Sequence, residues 1–394
     1  MEEIAFAHTP AVPHRALTGI RFDRNEFSGA FGDIGTDLPL LVGMILAAKL
    51  DPASVFIVYG AMQVATALTY RMPMPVQPLK AVAALVIAQK VPGNVLFGGG
   101  LAIGIIMLVL TVTGAIDWLA RIIPKSVIRG VQFGLGLQLA TLALREYVPA
   151  AGVPGYLLAA VAFAITLALL GNRRFPPAIF VLSLGVVFAL ATAVNLHMLG
   201  DNIGLRMPTL RVPAWSDITA GALLLALPQV PLSLGNSLLA TRQIAADLFP
   251  ERPPLALRRI ALTYSAMNLV NPFFGGVPTC HGSGGMVGHY TFGGRTGGSV
   301  VIYGIFYLTI GLILSVGFGA VVTLFPRPIL GVLLFFEGLV LLMLVRDLAD
   351  TRRDLMIAML VGLIASTMPY GYLVGMVVGT VVSRLPLATN TQSS

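Results

Sequence analysis

Apolar residues run through this chain in long blocks separated by short polar breaks, from Phe27 to Ser383. No block alternates with the period of two that a membrane β-strand needs, so the blocks read as helices. The pattern predicts fourteen spans, near 28–47, 54–70, 76–89, 96–114, 124–144, 155–171, 176–195, 217–240, 260–274, 278–290, 299–324, 328–345, 355–369 and 371–384. Several fall short of the ~20 residues that a full crossing requires, notably 76–89 and 278–290. Both carry polar residues at their front ends, and both are predicted to be half-helices.

Composition sets the class: 56% of residues are apolar and 11% charged, against roughly 25% charged in soluble domains. An all-α integral membrane protein is expected. The first 26 residues are polar and contain prolines, so no cleavable signal is expected. Cys280 is the single cysteine, which excludes an intrachain disulfide. With the N-terminus inside, eighteen of the 25 Lys and Arg residues fall in cytoplasmic breaks and six outside, leaving Lys80 in the membrane. That asymmetry predicts both termini cytoplasmic, in a cell inner (plasma) membrane. Cytoplasmic arginines beside anionic lipid account for the net charge of +8, so no nucleic-acid partner is implied.

The two halves share a plan. "PKSVIRGVQFGLGLQ" from Pro124 and "PRPILGVLLFFEGLV" from Pro326 align at an offset of 202, matching Phe133 with Phe335 and Gly136 with Gly338. Pro75 precedes Pro124 by 49 residues, and Pro278 precedes Pro326 by 48. Seven spans per half is an odd number, so the second half starts on the opposite side and the repeats are inverted, a transporter architecture.

In such folds the ligand sits near the midplane, faced by the N-termini of broken helices. The two broken elements are "MPVQPLKAVAALVIA" and "VPTCHGSGGMVGHY". Helix N-termini offer unsatisfied N–H groups and about half a positive charge, a ready anion site. Lys80, one turn in, adds a full charge that needs an anion or carboxylate partner inside a membrane. Gln77, His281, Gly282 and Ser283 are read as ligand-facing, with Pro78, Cys280 and Gly284 around them. Gly285 and Gly288 are read as packing glycines, and Cys280 fits equally as a small buried hydrophobe. Gln229, Ser233 and Asn236 fall at i, i+4 and i+7 on one helix face, and Asp33, Thr36 and Asp37 at i, i+3 and i+4 on another. Asp33, Asp37 and Glu337 are candidates for ion coupling; the alternatives are a lysine–aspartate pair or structural hydrogen bonds.

The segments "FGDIGTDLPL", "PVQPLKAVAA" and "CHGSGGMVGHYTFGGRTG" resemble the signature segments of molybdate transporters related to the sulfate permease superfamily, and the similarity extends through all fourteen spans. The resemblance implies a core domain of spans 1–4 and 8–11, a gate domain of spans 5–7 and 12–14, and an elevator-like movement between them. In this sequence that division corresponds to an N-terminal segment 1–26, core 27–114, gate 115–195, core 196–324, gate 325–384 and a tail 385–394. It also implies that Gln77, Lys80 and the segment from Cys280 to Gly284 surround an oxyanion. Asp37 stands where many relatives are expected to have an uncharged residue. No regulatory cytoplasmic domain is expected after the last span.

The chain carries no HExxH-type metal spacing and no nucleophile elbow, so catalytic residues, metals and cofactors are not expected. A proton-coupled secondary transporter of a tetrahedral oxyanion, molybdate first, is the expectation. Alternatives are a sulfate or other anion permease, or a passive anion channel of the same fold. A nucleobase carrier would place a carboxylate at the substrate, whereas both half-helix starts here are cationic or neutral. Expected partners are the oxyanion, protons, the lipid bilayer and a second copy of the chain in a homodimer.

Overall fold

The computed structural model describes residues 19–169, 177–192, 204–313, 326–368 and 370–385. The expected N-terminal segment up to residue 18, the tail from 386, and the far ends of spans 155–171, 176–195 and 299–324 lie outside the described residues. The chain forms α1 (Arg24–Ala30), α2 (Ile34–Ala48), α3 (Pro52–Tyr70), α4 (Lys80–Gln89), α5 (Gly93–Thr113), α6 (Ala115–Ile122), α7 (Lys125–Leu142) and α8 (Gly152–Ala168). It continues with α9 (Pro177–Thr192), α10 (Trp215–Leu248), α11 (Leu257–Val270), α12 (Ser283–Thr291), α13 (Gly298–Ile313), α14 (Arg327–Met343), α15 (Arg352–Thr367) and α16 (Gly371–Arg384). Among the described residues, five helical stretches are long and apolar enough to cross a membrane: Pro52–Tyr70, Gly93–Thr113, Lys125–Ala168, Trp215–Leu248 and Arg327–Leu348.

Local chemistry explains where several elements begin. Asp23 caps α1 by accepting from the backbone N–H groups of Asn25 and Glu26, and Asp51 caps α3 through Ser54 N, followed by Pro52 at the first helical position. The expected first span, 28–47, is broken: α1 ends at Phe31, and Asp33 opens α2. Glu26, fully buried, accepts from the backbone N–H groups of Arg295, Thr296 and Ser299 and so caps the start of α13.

Among the described residues, the all-helical expectation fails at one place. Residues Val76–Pro78 (β1) and Thr279–His281 (β2) form a two-stranded antiparallel ribbon, with Gln77 opposite Cys280. Pro75, Pro78 and Pro278 account for this, because proline drives the residue before it into extended conformation and offers no N–H. Helix therefore starts only at Lys80, ten residues long, and at Ser283, nine residues long. At ~1.5 Å per residue each covers about half of a ~30 Å hydrocarbon core. The ribbon ends symmetrically: Leu79 N donates to Pro278 O at 3.0 Å, and Gly282 N to Pro75 O at 3.3 Å. Leu79 and Gly282 are the N-cap positions of the two half-helices.

Around this centre, α3 lies along α13 and α5 along α11, while α7 packs on α14 and α15. Close backbone approach sets these pairs. A Cβ on Gly60 would meet Gly304 O at 2.6 Å, and one on Gly304 would meet Gly60 O at 2.8 Å. Gly136 and Gly338, the residues matched between the two halves, stand in the same reciprocal contact at 2.6 and 2.8 Å.

Candidate functional site

The two half-helix starts converge on a cavity of about 290 Å³. Of the expected ligand-facing residues, Gln77, Lys80, Cys280, His281, Gly282, Ser283, Gly284, Gln229 and Asn236 line it. Lys80 is the first residue of α4, where the sequence pattern had put it one turn in. The first-turn N–H groups of α4 and α12 have no acceptor within their own helices. Among those of α4, Val82 N is taken by Gln229 Oε1 at 3.3 Å.

Three expected residues stand elsewhere. Thr36 is half-buried on α2 and does not line the cavity. Pro78 is held in the ribbon opposite Thr279. Ser233 turns away from the cavity to Tyr264, with 2.7 Å between the two hydroxyls, and accepts from Gln229 Nε2 at 3.0 Å. Gln229 and Ser233 keep the i, i+4 relation, bonded to each other across an α-helical turn, and Tyr264 takes the Ser233 hydroxyl. The π-helix Ser233–Leu239 widens the winding only beyond this point, where Ser237 lines the cavity beside Asn236.

Each ligand-facing residue is held by identifiable contacts. Gln77 Nε2 donates to both carboxylate oxygens of Asp33, at 2.8 and 2.6 Å, so Asp33 lies directly behind it. Glycine at 282 is required there, since a Cβ would fall onto Gln77 Cγ, Cδ and Oε1. Gly285 likewise leaves room for the Asp33 carboxylate, with Pro75 Cγ 2.8 Å from where a Cβ would sit. Gly284 differs: a Cβ there would have nothing within 4 Å. Lys80 Nζ pairs with Glu337 Oε1 of α14 at 2.5 Å. Asp37 lies deeper, its Oδ2 2.5 Å from Tyr59 OH and 3.2 Å from Tyr303 OH, and its Oδ1 has no hydrogen-bond partner. His281 spends Nε2 on Thr263 Oγ1 at 2.7 Å and meets Tyr70 edge-on, 5.4 Å between centroids.

The sequence pattern missed Arg129, Gln132 and Ser237, all in the cavity lining. Arg129 and Gln132 stand at i and i+3 within the repeat segment "PKSVIRGVQFGLGLQ". That spacing was a usable signal, because a charge and an amide share one face of an otherwise apolar helix.

Together the ribbon, the paired half-helices and the cavity between them define a class: a helical membrane protein with the fold of SLC26A9 and BicA. SLC26A9 superposes with a TM-score of 0.65 at 16% identity; the match covers 91% of this chain and 65% of SLC26A9, so this chain spans under two thirds of that protein. The transmembrane domain of a cyanobacterium bicarbonate transporter, BicA, gives 0.62 at 17% identity, covering 93% of this chain and 100% of that domain. Within that class the chain belongs to the molybdate transporter family. The family model described as "Molybdate transporter of MFS superfamily" matches residues 25–139 and 221–341. Molybdate transporter 2 of Arabidopsis thaliana is 32% identical over 389 residues, covering 87% of this chain and 83% of that protein.

Proposed function

We propose that this chain is a secondary active transporter of a tetrahedral oxyanion, molybdate by family, working by alternating access and coupled to protons. The observation that carries the reading is the convergence of two half-helix N-termini and Lys80 on one cavity. Each N-terminus contributes ~0.3–1 kcal/mol toward an anion when exposed and up to ~2 when partly buried. The lysine adds full charge. Glu337 occupies Lys80 in this state, so the anion competes with a carboxylate for the same ammonium.

Fourteen spans in two inverted sevens fit the packing. A shift of seven spans carries the α3–α13 contact onto α11–α5, and both pairs pack extensively. The ribbon obeys the same relation, since it matches Pro75 with Pro278 and Leu79 with Gly282. In this reading α2–α5 and α10–α13 form the core domain, α7–α9 and α14–α16 form the gate, and the Lys80–Glu337 pair bridges them. Both termini are cytoplasmic.

Coupling to protons is supported on two counts. A dianion entering against a negative interior is opposed by about 2.3 kcal/mol per charge per 100 mV, and a co-transported proton offsets part of that. The protein also has a group short of hydrogens. Tyr59 has one hydroxyl proton but lies 2.5 Å from two acceptors, Asp37 Oδ2 and Val76 O. A proton arriving on Asp37 would complete both bonds. Asp33, one contact behind Gln77, is the second carrier in this reading.

Replacing Ser283 by Asp tests the site. A carboxylate at the start of α12 would face the anion and should abolish molybdate binding by calorimetry while the thermal melt stays near wild type. Normal affinity in the folded variant would remove the anion from between the helix ends.

A further inference from the structure

The cavity lining includes residues of α7, a helix that packs against α4. Gln132 lies on this helix, is 1% exposed and lines the cavity, and its Nε2 has no hydrogen-bond partner. Its other end is fixed, because Oε1 accepts from Arg129 Nη1 at 2.9 Å. A guanidinium only donates. The contact therefore decides which way round the amide sits, with the carbonyl oxygen toward Arg129 and the NH2 group left unused.

Arg129 is itself clamped. Its Nε lies 3.1 Å from both oxygens of Asp347, and Nη2 donates to Oδ2 at 2.6 Å, the bidentate geometry that holds a guanidinium plane most firmly. Lys125 Nζ reaches the same Oδ2 at 2.8 Å. A line of contacts thus runs Lys125, Asp347, Arg129, Gln132 and ends at the cavity on a buried donor. With Asp347 balancing its charge, Arg129 supplies orientation more than attraction.

We propose that Gln132 Nε2 is a direct ligand of the transported oxyanion, and that Arg129 is the positioning residue that keeps this donor turned toward it. The inference rests on the oxyanion site described above and extends it. A tetrahedral anion directs its oxygens four ways, and Lys80 with the two helix ends approaches only from α4 and α12. Gln132 adds a donor from α7, a helix of the gate domain in that reading, so the anion is bonded to both domains at once.

The test is molybdate affinity by calorimetry on the purified full chain, with a thermal melt for each variant. Gln132→Leu should bind about 10- to 100-fold more weakly, the range of one hydrogen bond to a charged group. Gln132→Glu keeps the Arg129 contact as an ion pair, so it folds, and it should lose binding because an acceptor replaces the donor. Arg129→Met should weaken binding in the same direction, and combining it with Gln132→Leu should add nothing. A purely structural Arg129 would instead add its loss to that of Gln132→Leu and overturn the positioning role. If Lys80→Ala loses binding while Gln132→Leu and Gln132→Glu bind as wild type, Gln132 is not a ligand and the half-helix site stands. If all three bind as wild type, both readings fall.

Discussion

Two glycines that flank Ser283 at the start of α12 should respond to the same methyl group in opposite ways. At Gly282 an added Cβ would overlap Gln77 Cγ, Cδ and Oε1, and Gln77 is 5% exposed and held by both oxygens of Asp33. Overpacking of this kind costs about 1–3 kcal/mol. Displacing Gln77 also breaks its bonds to Asp33, worth ~1.5–3 kcal/mol when the acceptor is charged. Gly282→Ala should therefore lower the melting temperature clearly and weaken molybdate binding with it. At Gly284 the same methyl meets nothing within 4 Å. Alanine gains up to ~1 kcal/mol over glycine within a helix, so Gly284→Ala should melt at or above the wild-type temperature. Its methyl group nevertheless enters the space assigned to the anion, and affinity should fall at least tenfold. The assay is calorimetric titration with molybdate beside a differential scanning melt in the same detergent. Wild-type affinity in Gly284→Ala would refute the placement of the anion at this helix start, and an unshifted melt in Gly282→Ala would refute the packing of Gln77 against it.

Other perturbations separate charge, coupling and folding. Lys80→Ala should weaken molybdate binding by about tenfold or more, and Lys80→Arg should recover only part because the fork places its charge differently. Glu337→Gln should tighten binding several-fold by freeing Lys80 from its 2.5 Å carboxylate partner; unchanged or weaker affinity would end the competition argument. Asp33→Asn should abolish uptake driven by a pH gradient in proteoliposomes yet leave counterflow exchange measurable, and retained acid stimulation would remove Asp33 from the proton path and leave coupling to Asp37 or Glu337. Glu26→Ala should destabilise the protein by about 2–4 kcal/mol, since it strips the backbone N–H groups of Arg295, Thr296 and Ser299 of a buried charged acceptor. A melt equal to wild type would contradict the cap.

What could be read from the sequence followed from local rules. Period, length and proline placement located the broken elements, and the type of each residue at their starts identified Lys80, Ser283 and Gly284 as neighbours of a common space. Departures arose where a partner distant in sequence decided the conformation. Proline signals before Lys80 and after Val277 marked an interruption, but nothing local said that the two interruptions would pair as strands. Ser233 shares a helical face with Gln229 as its spacing implies, but Tyr264, 31 residues on, takes its hydroxyl at 2.7 Å. The Arg129–Gln132 spacing marks a polar face on α7, but only the contact with Asp347, 218 residues from Arg129, shows how that face is held.

The β-ribbon sets an order on the birth of the site. Gln77 and Cys280, paired across it, come from opposite halves of the chain. While the first half inserts, the strand edge at Val76–Pro78 has no partner yet in existence, and unpaired backbone groups in hydrocarbon are costly. The nascent first half must therefore keep that edge wet or shielded until Thr279–His281 has been synthesised and has paired with it. Either half expressed alone should be unable to hold an anion, whereas two halves expressed as separate chains have what they need to recreate the ribbon on meeting.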